Sequence, residues 1–402
     1  MEEKLFNKGF LTITIINFIV YLVYYLMMVI IAVVAHDQLH ASFGQAGLAS
    51  GIYIIGTLVA RLIIGKELEL IGRKKIVRWG AILYLITTIA YLFVPTIGAL
   101  DAVRLFNGFA YGMTSTALNA IVTEFIPEKR KGEGINYYGL STSLAAAIGP
   151  FIGLLLLNAT SFRFIVILSV ILIAVSALAL FAIQINNVQL SPEHLAELKS
   201  WKISSFIEFK VLLIAGVGFL MGLSYSSVLS FLASYAESLN LVSISSFFFV
   251  VYAGIVTLTR PMSGRIFDRF GENYVMYPSY LFLTLGLVVL SLTHNGVTLL
   301  LSGAFIGLGY GTFMSNGQAV SLKLVSSHRV GIALSTYFIG LDLGLGVGPY
   351  ALGALHAMLS FRELYLVSAT IPVISAILYL IFYHPNKIKK NAADVSSNKG
   401  LA

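Results

Sequence analysis

One ionisable side chain lies in a segment that would be buried in a membrane. The stretch STYFIGLDLGLGVGPY, residues 335–350, is apolar and rich in glycine, with Asp342 near its middle. Such a run crosses a bilayer as a helix, where an ionised carboxylate is costly unless it is paired or hydrated. Two interpretations stay open. The carboxylate can exchange a proton or recognise a cation during transport, or it can be a static partner of a buried arginine or of backbone groups.

The composition identifies an integral membrane protein. The chain of 402 residues is 58% hydrophobic and 11% charged, with a mean hydropathy of +0.88, whereas soluble domains carry about 25% charged residues. There is no cysteine, which excludes disulfides and thiolate metal sites. The seven histidines lie in loops or at segment ends, so we expect no metal and no cofactor. The net charge of +8 is not gathered in one patch, which argues against nucleic-acid binding.

Twelve apolar runs are long enough to span a bilayer. The first is too long for a signal-peptide core, and a polar stretch divides the chain near its midpoint. We predict an N-terminal six-helix bundle (1–184), a cytoplasmic linker (185–210), a C-terminal six-helix bundle (211–384) and a cytoplasmic tail (385–402). The runs are roughly 10–34, 45–64, 80–99, 101–122, 137–157, 164–184, 211–234, 244–263, 275–293, 297–320, 332–353 and 365–383.

The basic residues outside the spans lie almost entirely on one side. Of the 26 Lys and Arg residues, only Arg163 and Arg362 lie in the loops of the other side. Arg61, Arg104 and Arg260 lie inside spans. Because basic loops stay in the cytoplasm, we predict a multi-pass protein of the cell membrane with both termini cytoplasmic.

An internal repeat relates the two halves of the chain. Adding 199 to a position in the first half often gives the same residue type in the second, as from Arg61 to Arg260 and from Gly108 to Gly307. Six spans plus six, starting on the same side, predict an all-α membrane protein of two parallel, pseudo-symmetric bundles. Secondary transporters have this architecture, with the substrate site between the halves.

Two loops share one spacing of glycines and an acid. The stretches GKELELIGRKK (65–75) and GRIFDRFGEN (264–273) both contain a glycine, an acid four residues later and a second glycine three residues after that. Glycine permits close helix contact, and the acid can sit at a helix N-terminus or pair with arginine. A charged turn that only follows the positive-inside rule would not explain the duplicated spacing. The candidate gating residues are Gly65, Glu69, Gly72, Arg73, Gly264, Asp268, Arg269 and Gly271.

These loops resemble the loop signature of the major facilitator superfamily, and the resemblance covers the whole chain. RLFNGFAYG (104–112) is similar to its fourth-helix motif, and AIGPFIG (147–153) resembles the fifth-helix signature of its proton-driven exporters. The chain departs from the usual pattern at Glu69, Leu70, Ala145 and Leu154. The exporter-type residues are Gly149, Pro150 and Gly153 with their counterparts Gly348 and Pro349, which we expect to serve packing and rocking between the halves.

The resemblance implies roles for the loop residues and for the charges inside the spans. Glu69 with Arg73, and Asp268 with Arg269, would stabilise one side of an alternating-access cycle.

Asp342 lies ten residues into its span, about 15 Å deep, and would couple proton movement to transport. Arg104 would assist proton exchange; alternatively it is a static partner of Asp101, three residues before it on one helix face.

The resemblance also places a substrate cavity among helices 1, 4, 7 and 10. Aromatic, methionine and amide side chains there suit an amphipathic organic molecule, a cationic one included. They would equally suit ordinary helix packing. The candidates are Asn17, Tyr21, Tyr24, Met28, Tyr111, Ser115, Asn119, Tyr225, Tyr310, Met314, Asn316 and Gln318.

The sequence therefore predicts a proton-coupled exporter of drugs or small amphipathic molecules and not an enzyme. It is expected to be a monomer whose partners are the substrate, protons and membrane lipids. The alternatives are a narrow-specificity exporter of a sugar, a nucleoside or a metal-chelating molecule, a nutrient importer, and a non-transporting membrane sensor. No G-x-x-x-x-G-K-[ST] sequence for ATP binding occurs in the chain.

Overall fold

The computed structural model describes residues 5–41, 43–187, 190–200, 202–356 and 358–383, and these ranges contain helices and turns but no strand. The predicted tail, 385–402, lies outside them. The helices of the first half are α1 (Lys8–Leu39), α2 (Phe43–Ile71), α3 (Arg73–Ala90), α4 (Ile97–Ile121), α5 (Lys131–Ala159) and α6 (Phe162–Ala182). A short helix, α7 (Pro192–Lys199), lies in the linker. The second half has α8 (Leu212–Ser238), α9 (Val242–Phe270), α10 (Asn273–Ser291), α11 (Gly296–Ile306), α12 (Thr312–Lys323), α13 (Val330–His356) and α14 (Phe361–Phe382).

The described helices form twelve membrane crossings. α11 and α12 make one of them, because the turn Gly307–Gly311 between them is π-helical, which widens a helix without ending it. Ten helices of the described chain are also apolar enough to cross a membrane by composition alone. The other two crossings are α2 and α4, which carry the buried charges Arg61 and Arg104. The predicted all-α, twelve-helix architecture is confirmed.

The third crossing begins and ends earlier than predicted. The apolar run suggested 80–99, whereas α3 begins at Arg73, directly after Gly72, and ends at Ala90. Its first turns contain basic residues, which a search for apolar runs leaves out.

Each half packs its helices in the same order. In the first half α1 lies against α5 and α2 against α4; in the second, α8 lies against α13 and α9 against α11. At the α1–α5 contact, a Cβ on Gly149 would lie 2.8 Å from Cβ of Tyr25. At the α8–α13 contact, a Cβ on the counterpart Gly348 would clash with Oγ of Ser226. The two halves therefore use equivalent glycines for equivalent contacts.

The exporter-type glycines thus pack helices within each half and not, as predicted, between the halves. Gly153 belongs to the same α1–α5 contact, where a Cβ would lie 2.9 Å from the carbonyl oxygen of Leu26. Pro150 lies inside α5. The side chain of Pro349 lies outside the described part of the chain.

Gly72 and Gly271 end α2 and α9 at equivalent turns. Their φ angles are 99° and 97°, a region that side-chain-bearing residues adopt at a cost. Both turns lie at the end of the molecule where the α4–α5 connection, the α12–α13 connection and the linker also lie. This end is called the basic face below.

Replacing Gly271 by alanine tests whether this turn conformation is required. Among the described residues, none lies within 4 Å of a Cβ built at Gly271, so Gly271→Ala introduces backbone strain without a clash. We expect a destabilisation of about 1–2 kcal/mol, seen as a lower apparent melting temperature of the purified protein.

Gly254→Ala is the matched control, because Gly254 lies inside α9 with equal room for a Cβ among the described residues. There alanine should be neutral or stabilising by about 0.5–1 kcal/mol. Equal melting temperatures for the two variants would contradict the assignment of strain to Gly271.

Candidate functional site

An ion pair joins the two halves about midway along the helices. Nε of Arg61 in α2 donates to Oδ2 of Asp342 in α13 over 2.8 Å. The guanidinium also lies over the ring of Phe338, 4.9 Å from its centroid. The side chain of Arg61 is 2% exposed and that of Asp342 is 22% exposed. Asp342 therefore has a buried arginine as partner, and its side chain is not fully enclosed.

Tyrosine rings from both halves surround this ion pair. In the first half Tyr24 stacks on Tyr111 with ring centroids 4.7 Å apart, and Tyr21 meets Tyr111 edge-on at 5.4 Å. In the second half Tyr225 stacks on Tyr310 at 4.0 Å. Tyr24 and Tyr310 lie close enough to the carboxylate of Asp342 to interact with it electrostatically. The central site is defined here as Arg61, Asp342, Tyr21, Tyr24, Tyr111, Tyr225 and Tyr310.

Three other predicted cavity residues make hydrogen bonds within one helix or between neighbouring helices. Nδ2 of Asn17 donates to Oγ of Ser141 over 2.8 Å, and its Oδ1 accepts from the hydroxyl of Tyr138 over 2.7 Å. The hydroxyl of Ser115 donates to a carbonyl of its own helix, and the carbonyl of Met314 accepts from a tyrosine hydroxyl of α13. For Asn17 in particular, both ends of the amide are occupied by packing within the first half.

A group of amides connects the halves on the basic-face side of the ion pair. Nε2 of Gln318 donates to Oδ1 of Asn119 over 3.2 Å, and these two residues are repeat counterparts, 199 apart. Nδ2 of Asn136 in α5 donates to Oδ1 of Asn316 in α12 over 3.0 Å. Three predicted cavity residues, Asn119, Asn316 and Gln318, therefore close the interface between the halves in this conformation.

Arg104 does not pair with Asp101 as proposed in one interpretation. Its Nε donates to the carbonyl of Ala49 over 2.9 Å, Nη2 lies 3.3 Å from Sδ of Met28, and the guanidinium lies 4.4 Å from the ring centroid of Tyr53. In the described chain Oδ1 of Asp101 has no hydrogen-bond partner. The expected pair is wrong because Arg104 is fully buried and points across to α1 and α2.

Arg73 links four segments at the basic face. Its Nη2 lies 2.6 Å from Oε1 of Glu69, and its Nη1 lies 2.9 Å from Oε1 of Glu124 and donates to the carbonyl of Ala120. Nη2 also donates across to the second half, to the carbonyl of Ser327 over 3.4 Å. The predicted acid and base of the first loop thus form a buried pair.

Asp268, the counterpart of Glu69, binds a helix N-terminus instead. Its two carboxylate oxygens each accept a backbone N–H, from Gly132 and from Glu133, both over 2.8 Å. These N–H groups lie in the first turn of α5, where the helix dipole favours a negative charge. Arg269 lies over the ring of Phe270, 5.3 Å from its centroid. Of the two arrangements expected for the loop acid, a helix N-terminus or an arginine, Asp268 takes the first, and it forms no ion pair with Arg269 in the described chain.

Gly65 and Gly264 bring the halves together at equivalent places. A Cβ on Gly65 would lie 2.4 Å from Oγ of Ser335 in α13, and a Cβ on Gly264 would lie 2.6 Å from Cα of Glu133 in α5. Helices of opposite halves can approach this closely only without a side chain. Together with the amide group and the bonds of Arg73 and Asp268, these contacts close the basic face.

Two functional candidates are not singled out by the sequence motifs. Arg61 lies inside a span and recurs as Arg260, and those signals mark it as one of the buried arginines that could pair with Asp342, without selecting it among them. Asn136 carries no comparable signal, since a single amide in a helix is common. Among the described residues there is no cluster of three or more His, Cys, Asp or Glu side chains that could hold a metal.

The chain belongs to the major facilitator superfamily. The model of that family, described as Major Facilitator Superfamily, matches residues 13–298 and 285–401. The fold is therefore that of a membrane transporter.

Known relatives and a solved structure agree with this class. An uncharacterized MFS-type transporter of Methanocaldococcus jannaschii is 23% identical over 341 residues, covering 83% of this chain and 88% of that protein. The staphylopine export protein of Staphylococcus aureus is 22% identical and covers 85% and 88%. The multidrug resistance protein MdtG of Salmonella dublin is 28% identical but covers only 42% and 43%. The structure of FucP in the outward conformation matches with a TM-score of 0.72 at 15% identity, covering 93% of this chain and 98% of that one.

Replacing Asp268 by asparagine tests its contact with the helix N-terminus. Asp268→Asn removes the charge and one acceptor, so we expect closure of the basic face to weaken by about 1 kcal/mol, within the range for charges at helix ends. Because the chain has no native cysteine, a single cysteine introduced at Ser263, which lies buried in this interface, should react several times faster with a thiol reagent.

Arg269→Gln is the matched control at the adjacent position. Its guanidinium lies over the ring of Phe270 and takes no part in the Asp268 hydrogen bonds, so the labelling rate should stay unchanged. Faster labelling in both variants, or in neither, would show that Asp268 does not hold the face closed.

Proposed function

We propose that this protein is a proton-coupled exporter of small amphipathic organic molecules and that Asp342 carries the proton. The observation that supports this most is the ion pair between the halves. Arg61 is buried, whereas Asp342 keeps 22% of its side chain accessible. A proton can therefore reach the carboxylate while the pair is formed.

The energetics of the pair link protonation to movement. Separating two charges inside a membrane protein leaves each without its partner, at a cost of several kcal/mol per ion. Protonation makes Asp342 neutral, so the halves can part with one buried charge instead of two. The ring of Phe338 lies in α13 with Asp342, so the guanidinium of Arg61 also loses this weaker cation–π contact when the halves part. Proton loading thus favours separation of the halves, and proton release favours closure.

Export is the direction favoured by the relatives. A named export protein matches most of this chain, and a multidrug resistance protein matches part of it. The exporter-type motif of the fifth helix agrees with both. We further propose that the protein works as a monomer in the cell membrane, with the basic face and both termini cytoplasmic.

A narrow-specificity metabolite exporter is the second candidate. The relative that matches 85% of this chain is named for a single substrate, staphylopine. The multidrug resistance protein matches 42% of this chain. The two candidates share the proton mechanism and differ in how many substrates they move. An importer and a non-transporting sensor are less favoured, since neither accounts for the exporter-type motif together with an accessible carboxylate in the ion pair.

Transport by Asp342→Asn tests the proton assignment. Inverted membrane vesicles are screened with a panel of organic substrates, with the proton gradient intact or collapsed by an ionophore. The wild type should accumulate at least one substrate when the gradient is present. Asp342→Asn, which cannot exchange a proton, should lose about tenfold or more of the gradient-driven uptake and its dependence on pH.

Asp101→Asn is the matched carboxylate control, because Oδ1 of Asp101 has no hydrogen-bond partner among the described residues and it should transport normally. Unchanged transport and pH dependence in Asp342→Asn would refute the assignment. Failure of the wild type to accumulate any substrate would favour the sensor instead.

A double-mutant cycle tests the ion pair itself. Asp342→Asn and Arg61→Gln each leave one uncompensated group, and we expect Arg61→Gln alone to destabilise the protein by about 3 kcal/mol. The double variant removes both charges and should recover part of that loss, measured as apparent melting temperature. Simple additivity of the two effects would show that the residues do not interact.

A further inference from the structure

Arg260 is the repeat counterpart of Arg61, but it has no acidic partner among the described residues. The position that would correspond to Asp342 in the first half is Ser143. Arg260 is fully buried, and its Nε donates to the carbonyl of Gly311 over 3.1 Å. Neither Nη1 nor Nη2 has a hydrogen-bond partner among the residues that the structure describes. Because a guanidinium stays protonated in proteins, this is an uncompensated positive charge inside the membrane.

The free end of Arg260 points at the interface between the halves. A Cβ built on Gly139, in α5 of the first half, would lie 2.2 Å from Nη1 of Arg260 and 2.4 Å from Oγ of Ser315. The Ser315 hydroxyl is also buried without a partner in the described chain. Two hydrogen-bond donors from α9 and α12 therefore converge on one glycine of the opposite half.

The surroundings of Arg260 are aromatic. Tyr252 and Tyr310 of the second half lie within electrostatic range of it, and both rings stack with Tyr225 at centroid distances of 5.8 Å and 4.0 Å. Phenol rings next to a guanidinium suit a ligand with an apolar body and a charged end. The charged end of such a ligand would be negative. Asp342 is already paired with Arg61, so the charge that lacks a partner here is the positive one of Arg260.

We propose that Arg260 and Ser315 bind the carboxylate of an amphipathic organic anion between the halves, with Tyr225, Tyr252 and Tyr310 around its apolar body. The two Nη groups can hold a carboxylate in the bidentate geometry that guanidinium favours. Gly139 leaves room for the guanidinium itself, since a Cβ there would lie 2.2 Å from Nη1. Both Nη atoms are buried in this closed conformation, so the carboxylate reaches them when the halves move apart. This inference rests on the proposed transport function and names its substrate class as anionic, in place of the cation that aromatic residues alone would also suit.

Three probes of equal shape and different charge test the proposal by equilibrium binding to the full-length protein in lipid nanodiscs. The probes are 2-naphthoate, its neutral amide 2-naphthamide and the cationic 2-naphthylmethylammonium. The wild type should bind the naphthoate at least tenfold more tightly than the amide and more tightly still than the ammonium, because a charge-assisted hydrogen bond is lost in each replacement. Arg260→Gln should abolish this preference by weakening naphthoate binding tenfold or more, with little change for the amide, and Arg260→Lys should restore part of it.

Two glycine variants provide a second test, which leaves the positive charge of Arg260 in place. Gly139→Ala should displace the guanidinium and weaken naphthoate binding several-fold, whereas Gly254→Ala, in open space among the described residues, should leave it unchanged. This test also applies if Arg260→Gln does not fold.

The proposal is overturned if the wild type fails to bind naphthoate or binds the amide or ammonium as tightly. An unchanged naphthoate affinity in Arg260→Gln and Gly139→Ala would overturn it as well. Because binding is measured without a proton gradient, a failure of proton coupling would show in the vesicle assay and not here.

Discussion

Arg61 and Asp342 compensate each other in a region where an isolated charge of either sign is costly. Each residue belongs to a different half, so the electrostatic requirement that keeps the charges together also keeps the halves together. On the basic-face side of the ion pair, the halves are also in close contact, because glycines at Gly65 and Gly264 let their helices touch. The membrane-buried ion pair and the closed basic face are therefore parts of one conformational state. In the proposed cycle, a change in the charge of Asp342 acts on both.

The loop acid has a different kind of partner in each half. In the first, Glu69 pairs with the buried Arg73; in the second, Asp268 uses the N-terminus of α5. The spacing of the acid between two glycines is conserved between the repeats, because it places the carboxylate beside the neighbouring helix in both. Glu69 meets an arginine of its own half, whereas Asp268 meets a helix of the other half. An equivalent position in the repeat therefore does not imply an equivalent partner, as Arg61 and Arg260 also demonstrate.

Much of the fold follows from hydropathy and spacing, because a membrane requires long apolar helices and a repeat requires equivalent turns. The start of α3 does not follow from hydropathy, because its first turns are basic. The family resemblance places Tyr111 and Tyr310 among the central helices. It also places Asn17 and Asn316 in the cavity, whereas the amides of both bond other helices. An amide on a helix face looks the same in both roles. The Arg61–Asp342 pair depends on which helices of opposite halves are neighbours, which no local pattern reveals.

Asn119 and Gln318 are each other's counterpart in the repeat and contact each other directly. Such a contact lies on the axis that relates the halves, whereas contacts away from the axis come in two copies. Loss of the contact at Gly65 leaves its duplicate at Gly264, but the axial amide bond has no duplicate. A single covalent tether placed across these two positions would hold the halves evenly, and the absence of native thiols means that no other cysteine would compete for it.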